Sequence, residues 1–353
     1  MRKHYLDNIR WITVLLVVLY HVVYIFNGII TDGVVGPFHP VQYQDALQYL
    51  LYPWFMTLLF VVAGASSRYA LETQSPMEFL AARTRKLLIP STIGLFVFQW
   101  LTGYVNMKIA GAFAHIPLSG PALYPIMAVS GTGVLWFIQM LWIYSVPLLL
   151  VRKFEVGKLY HWTEQCSLPV LLVLAVPVWG FAQILNTPVI AVYRFGIYGA
   201  AFFIGNFILA HERVVERISR VWLPLTVSML VLGAAYTLHY FGENYAVEPV
   251  VNSIFSVIYG WIAVLAVFAV MKRFGDRTSP VAAWMGKHSF GLYVFHYLPM
   301  AAAALWLCKG SGMPALPSYL ITGLAAFVGG WLLYELISRI PVVRFCVLGV
   351  KKR

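Results

Sequence analysis

Long apolar runs follow one another along this chain, separated by short polar stretches. Runs of about twenty apolar residues are the length an α-helix needs to cross a bilayer. They fall near Trp11–Ile30, Leu47–Ser66, Leu87–Met107, Val134–Leu150, Leu168–Leu185, Phe195–Leu209, Val221–Phe241, Val250–Met271, Phe290–Cys308 and Pro317–Ile337, the sixth being short for a full crossing. The pattern predicts an all-α integral membrane protein, a bundle of about ten transmembrane helices. No linker, low-complexity tract or internal repeat divides residues 1–353, so one transmembrane domain is expected.

The charges test this division. Basic residues cluster before the first run and after the second, fourth, sixth, eighth and tenth; these groups hold 22 of the 25 Lys and Arg. Only Lys108, Arg194 and Lys309 remain for the opposite side. By the positive-inside rule, both termini are expected in the cytoplasm. The formal net charge of +12 then reflects topology and contact with anionic lipid headgroups rather than nucleic acid. A face this basic would also attract a phosphorylated soluble ligand. Charged residues make up 11% of the chain, against roughly a quarter in soluble domains, which excludes a soluble enzyme. The first run is too long for a secretory signal and no small-residue cleavage site follows, so it is expected to be a retained span. Cys166, Cys308 and Cys346 lack metal-ligand spacing and are expected to be free thiols.

His21 interrupts the first run near its middle. A titratable ring costs free energy there and marks a functional site by default. Imidazole titrates near neutrality, which suits a general base or proton shuttle; a histidine bonded across a helix interface is the plainer alternative. Arg10 lies eleven residues earlier, so on a helix both side chains share one face, about 16 Å apart. Asp7, one turn before Arg10, permits a local ion pair that is either structural or aims the guanidinium at a phosphate or carboxylate. The small residues of Phe60–Arg68 allow close helix approach, or room for a ligand tail. Arg83 and Lys86 are three apart, either an ordinary basic flank or two groups facing one phosphate. His296 is a second histidine in an apolar stretch, and Glu335 sits near the end of the last run, able to pair with Arg339 or to orient Arg10 or His21. His39, His115 and His239 read as solvated or interfacial. No HExxH, Walker loop, GxSxG or cysteine-rich metal pattern occurs.

Tyr5-Leu6-Asp7-Asn8-Ile9-Arg10, with ten residues before His21, resembles the R-x10-H signature of the acyltransferase 3 family of multi-pass membrane O-acyltransferases. The likeness continues through Met56–Gly64, Arg83-x-x-Lys86-Leu-Leu-Ile-Pro90, Leu135-Trp136-Phe137, Tyr193–Gly199, Tyr293-x-x-His296, Tyr334-Glu335 and Leu348-Gly349-x-Lys351. The resemblance implies a ten-helix domain that uses cytoplasmic acyl-CoA, either acetyl-CoA or succinyl-CoA, without a metal. It implies a carbohydrate or lipid-linked acceptor across the inner membrane. Carried over, His21 is the base, Arg10 its partner, and Asp7 and Glu335 support them. Arg83, Lys86, Arg85 and Arg68 fall to the donor, and His296, Trp136 and Tyr293 to the acceptor. Lys86 stands where the family has a second arginine, keeping charge but losing the bidentate fork. Val134 replaces a histidine common before Leu-Trp-Phe. Among stand-alone relatives the chain looks most like the group containing the succinyltransferase of periplasmic glucans.

The rival class is a proton-coupled transporter or flippase that relays protons through His21 and His296. Unbroken spans without paired charges are expected here, and they argue against it. A structural scaffold leaves the buried histidine without a purpose. The acyl group, acceptor and oligomeric state are not legible in the residues.

Overall fold

The computed structural model describes residues 3–30, 33–115, 120–187 and 192–351; Arg2, Lys352 and Arg353, part of the basic flanks above, lie outside the described residues. In chain order the principal helices are α1 (His4–Tyr24), α2 (Tyr43–Thr73), α3 (Pro76–Ile109), α4 (Gly133–Glu155), α5 (Leu168–Ala182) and α6 (Phe195–Phe207). There follow α7 (Glu212–Arg220), α8 (Trp222–Tyr240), α9 (Ile254–Phe274), α10 (Pro280–Phe295), α11 (Tyr297–Cys308), α12 (Ala315–Arg339) and α13 (Pro341–Leu348). Among the described residues the one extended pairing is an isolated bridge between Asn186 and Arg194. Among the described residues, seven helices (α1, α2, α3, α4, α8, α9 and α12) are long and apolar enough to cross a membrane, and α10–α11 adds an eighth if the bent pair is one span. α5 and α6 fill the fifth and sixth apolar runs but are shorter.

Local chemistry sets several helix ends. Ser75-Pro76-Met77-Glu78 is a reciprocal cap: the Ser75 N–H donates to Glu78 Oε2 at 2.9 Å, and the Glu78 N–H reaches Ser75 Oγ at 3.3 Å. Pro76 follows the cap, where its missing N–H costs nothing. Ser253 opens α9 by accepting the Ser256 N–H at 3.0 Å. The first apolar run was expected to be helical to Ile30, yet α1 ends at Tyr24. Asn27 explains the difference, because its Oδ1 accepts the N–H groups of Ile29 and Ile30 and so offers the backbone a turn instead.

Prolines inside apolar helices accompany two further departures. In α3 the stretch Thr84–Leu88 widens into a π-helical turn, with the Ile89 N–H bonding the Thr84 carbonyl. Pro90 stands just beyond; it has no N–H and its ring crowds the carbonyl four residues back, which the wider turn relieves. Pro299 acts the same way on the carbonyl of Phe295, and α10 and α11 bend by 50° at His296.

Residue contacts divide the chain into two units. The first comprises the chain up to Thr13, Tyr49–Leu80 and Ile143–Gly286; the second comprises Val14–Gln48, Ala81–Trp142 and the chain from Lys287. In the first unit α2 and α6 cross at their glycines. A Cβ on Gly64 would lie 1.9 Å from the Phe202 carbonyl oxygen, and one on Gly205 would lie 2.1 Å from that of Val61. The small residues of Phe60–Arg68 therefore serve backbone approach rather than ligand space. In the second unit a buried polar network follows α1. Gln42 donates to the Phe26 carbonyl and to Asp45, and Asp45 accepts the Gly28 N–H at 3.0 Å.

Candidate functional site

The second unit pairs two of the predicted residues. His21, partly exposed on α1, places Nδ1 3.2 Å from Nε2 of His296, which is fully buried at the bend between α10 and α11. The ring planes are tilted by 44°, and Tyr297 meets His21 edge-on with centroids 5.4 Å apart. His296 Nδ1 faces only carbonyl oxygens, Leu292 at 3.1 Å and Tyr293 at 2.9 Å. Carbonyls accept and never donate, so Nδ1 carries the proton; in the neutral ring Nε2 is then an acceptor. His21 then donates to it through Nδ1–H, and a backbone hydrogen bond to Val17 also engages the His21 ring. That tautomer leaves His21 Nε2 with an unprotonated lone pair. His296, expected from sequence to bind the acceptor, is hydrogen-bonded to His21. The expectation of unbroken spans also fails at this residue.

Tyr293 and Trp136 belong to one aromatic series in this unit. Trp136 meets Phe137 at 6.3 Å, Phe137 meets Tyr293 at 6.1 Å, and the Tyr293 hydroxyl donates to the Val134 carbonyl. Val134 thus contributes through its backbone. Glu335 lies 3.7 Å from Arg339 and 3.9 Å from His288 Nε2, too far for tight hydrogen bonds. His288 was not singled out from sequence; it stands on α10 and meets the ring of Tyr334 edge-on at 5.7 Å.

Arg85 and Lys86 lie in the π-turn of α3 and Arg83 just before it; Arg83 and Arg85 are partly exposed and Lys86 exposed. A π-turn advances each residue by less than the 100° of an α-helix, so Arg83 and Lys86 diverge more than their spacing predicts. The end of α13 rests on this turn. Gly349 caps α13 with φ +65°, and a Cβ there would lie 2.1 Å from the Arg85 carbonyl oxygen.

In the first unit Arg10 is held by Asp7 at 3.0 Å and by the hydroxyl of Ser66 at 2.9 Å, while its side chain stays 45% exposed. It is oriented and still accessible. Asn8 donates to the carbonyls of Gly275 and Arg277 at 2.7 and 2.8 Å, anchoring α1 beside Arg10. Glu212 extends the anchor by binding both Lys3 and Lys272, and Lys272 reaches Asp276 at 2.9 Å. Burial alone would raise the Glu212 carboxyl, but the hydrogen bonds from Lys272 and Lys3 outweigh it and hold the group below its ordinary range. Arg68 lies over the ring of Tyr160 at 3.4 Å and 3.9 Å from Glu72. Tyr160 in turn stacks on His211 at 3.8 Å. Arg68 thus already has an aromatic face and a carboxylate beside it. His39, His115 and His239 are exposed, and all three cysteines are free.

Repeated apolar helices, with polar side chains gathered inside them, define a multi-pass membrane protein. Over residues 3–335 the chain matches the sequence model of the acyltransferase 3 family, described as an acyltransferase domain. The protein belongs to that family and is a membrane acyltransferase. No curated protein and no solved structure matches it.

Proposed function

We propose that the protein is an O-acyltransferase of the cytoplasmic (inner) membrane. It would move an acyl group from cytoplasmic acyl-CoA to a hydroxyl of an extracytoplasmic carbohydrate or lipid-linked acceptor. The observation that carries the reading is the His21–His296 pair, whose hydrogen bonds point to a free lone pair on His21 Nε2. That nitrogen takes the proton of the acceptor hydroxyl, and the oxygen attacks the thioester carbonyl. The C–S bond breaks, and His21 returns the proton to the departing sulfur. His296 is a positioning residue: it holds the tautomer and does not touch the reacting atoms. Arg10, aimed by Asp7, and the basic groups Arg83, Arg85 and Lys86 supply charge for the coenzyme phosphates. Arg68 belongs to the same proposed donor set, and Trp136 and Tyr293 to an acceptor surface. Glu335 retains a supporting place beside His288. Acetyl-CoA and succinyl-CoA are both candidate donors, succinyl-CoA following from the likeness to the glucan succinyltransferase group.

The test uses purified protein, isotope-labelled acetyl-CoA or succinyl-CoA, and envelope glycans and lipids from cells lacking the protein. Mass spectrometry should find label on an acceptor with the native chain and none with His21→Ala. Full transfer by His21→Ala overturns the base assignment. A second reading, a proton-coupled transporter, draws support from the helix break at His296. Solute uptake into vesicles without any acyl-CoA would favour it.

A further inference from the structure

In the first unit α1 presents two different faces at its start. Asn8, Trp11 and Ile12 are spaced i, i+3, i+4 and share one side of the helix. Arg10 lies about 200° around from Asn8 and points the other way, to Ser66. The Asn8 side bounds a groove of about 590 Å³, whose remaining lining runs from Met271 at the end of α9 to Ala282 in α10. That volume is within the usual range of ligand pockets. Asn8 Nδ2 donates to the carbonyls of Gly275 and Arg277 at 2.7 and 2.8 Å, so the α9–α10 connection is pinned against this face of α1.

The groove is amphipathic. Ile12, Met271 and Phe274 supply apolar surface, and Phe274 is 48% exposed. The indole N–H of Trp11 is taken by Asn8 Oδ1 at 2.8 Å, which leaves the ring as further apolar lining. Arg277 and Thr278 form the polar end, and both are exposed. Among the described residues no carboxylate lies within ion-pair distance of Arg277. Its neighbour Asp276 is engaged by Lys272 at 2.9 Å and by the Tyr5 N–H at 3.2 Å. An unpaired cation thus meets an apolar wall where one membrane-spanning helix starts and another ends. Lys272 and Arg273 close the last turn of α9, and basic side chains at the ends of spans lie at headgroup level.

We propose that this groove holds one anionic phospholipid. Its phosphate sits on Arg277 and the Thr278 hydroxyl, and the start of an acyl chain runs along Ile12, Met271 and Phe274. The lipid braces α1 against the α9–α10 connection on the side away from Arg10. This inference stands apart from the acyl-transfer reading and survives its failure.

The test uses the full-length protein stripped of lipid in neutral detergent. Its thermal midpoint should rise saturably with phosphatidylglycerol but not with phosphatidylcholine or glycerol 3-phosphate. Arg277 is exposed, so Arg277→Gln should fold normally and raise the half-saturating phosphatidylglycerol concentration about tenfold. Lys153→Gln removes an exposed charge at the end of α4, outside the groove, and should leave that concentration unchanged. Equal shifts in the two variants would mean diffuse attraction to a basic surface and overturn the proposal. A response to glycerol 3-phosphate equal to the lipid's overturns it too, because the chain then contributes nothing. So does an Arg277→Gln protein that loses coenzyme A binding while its phosphatidylglycerol titration is unchanged, which assigns the groove to the donor.

Discussion

Nε2 of His296 lies 3.2 Å from Nδ1 of His21, although 275 residues separate them in the chain. Two carbonyls fix the proton on the far side of His296, so the pair has a direction. His21→Ala should lower acyl transfer by about 10²–10⁴-fold. His296→Ala should fall well below the native chain, while His296→Gln, whose side-chain oxygen still accepts from Nδ1–H, should recover part of the loss. Turnover of labelled donor measures this. Equal rates for the native chain and His296→Ala would remove His296 from the mechanism.

Gly349 touches the π-turn that carries Arg85 and Lys86. Gly349→Ala adds a Cβ at φ +65°, 2.1 Å from the Arg85 carbonyl oxygen, so either α13 or the turn must shift. Calorimetric titration with coenzyme A should show weaker binding than for the native chain. Unchanged affinity in a folded Gly349→Ala protein would separate the π-turn from the donor.

Gly64 and Gly205 set the spacing of α2 and α6. Gly64→Val should destabilise by about 3 kcal/mol, the upper end of what overpacking costs, because the obstacle is backbone rather than a side chain that could turn away. The readout is the thermal midpoint and the yield of monodisperse protein in detergent. Wild-type behaviour of Gly64→Val would mean that the crossing tolerates bulk.

Glu212 and Asp276 give the fold a pH dependence. Both carboxyls are held below their ordinary range, each against a burial effect that alone would raise it. Such groups contribute stability that is fully present above the unfolded carboxylate range, around pH 4, and is lost as pH falls from there through their lower folded values. The thermal midpoint should therefore drop on acidification. Glu212→Gln should lower it at neutral pH by about 2–4 °C, for a loss near 1 kcal/mol, and flatten the acid limb. An acid limb identical to the native one would show that Glu212 does not titrate with folding.

Much of the helical layout was readable because a bilayer demands long apolar runs and leaves few alternatives. His21 stood out for the same reason, since a ring at that depth needs a purpose. Its neighbour was legible only in part. His296 was visible as a histidine in an apolar stretch, and Pro299 three residues later signalled the break, but nothing in one dimension placed it against α1. Phe60–Arg68 shows the same limit: small residues suit either a ligand or a neighbouring helix, and only the Phe202 carbonyl opposite Gly64 decides.

Apolar periodicity, proline positions and the R-x10-H spacing are properties of neighbouring residues, so the sequence by itself determined the membrane class and the family, and it drew attention to His21. Pro90 stands just after the π-turn that separates Arg83 from Lys86, a change written in bond geometry rather than in residue count. Partnership was decided by tertiary structure alone. Which carbonyls face His296, which hydroxyl meets Arg10 and which carbonyls Asn8 holds depend on contacts between helices far apart in the chain, and hydrogen bonds of about 3 Å are set by packing that no local pattern encodes.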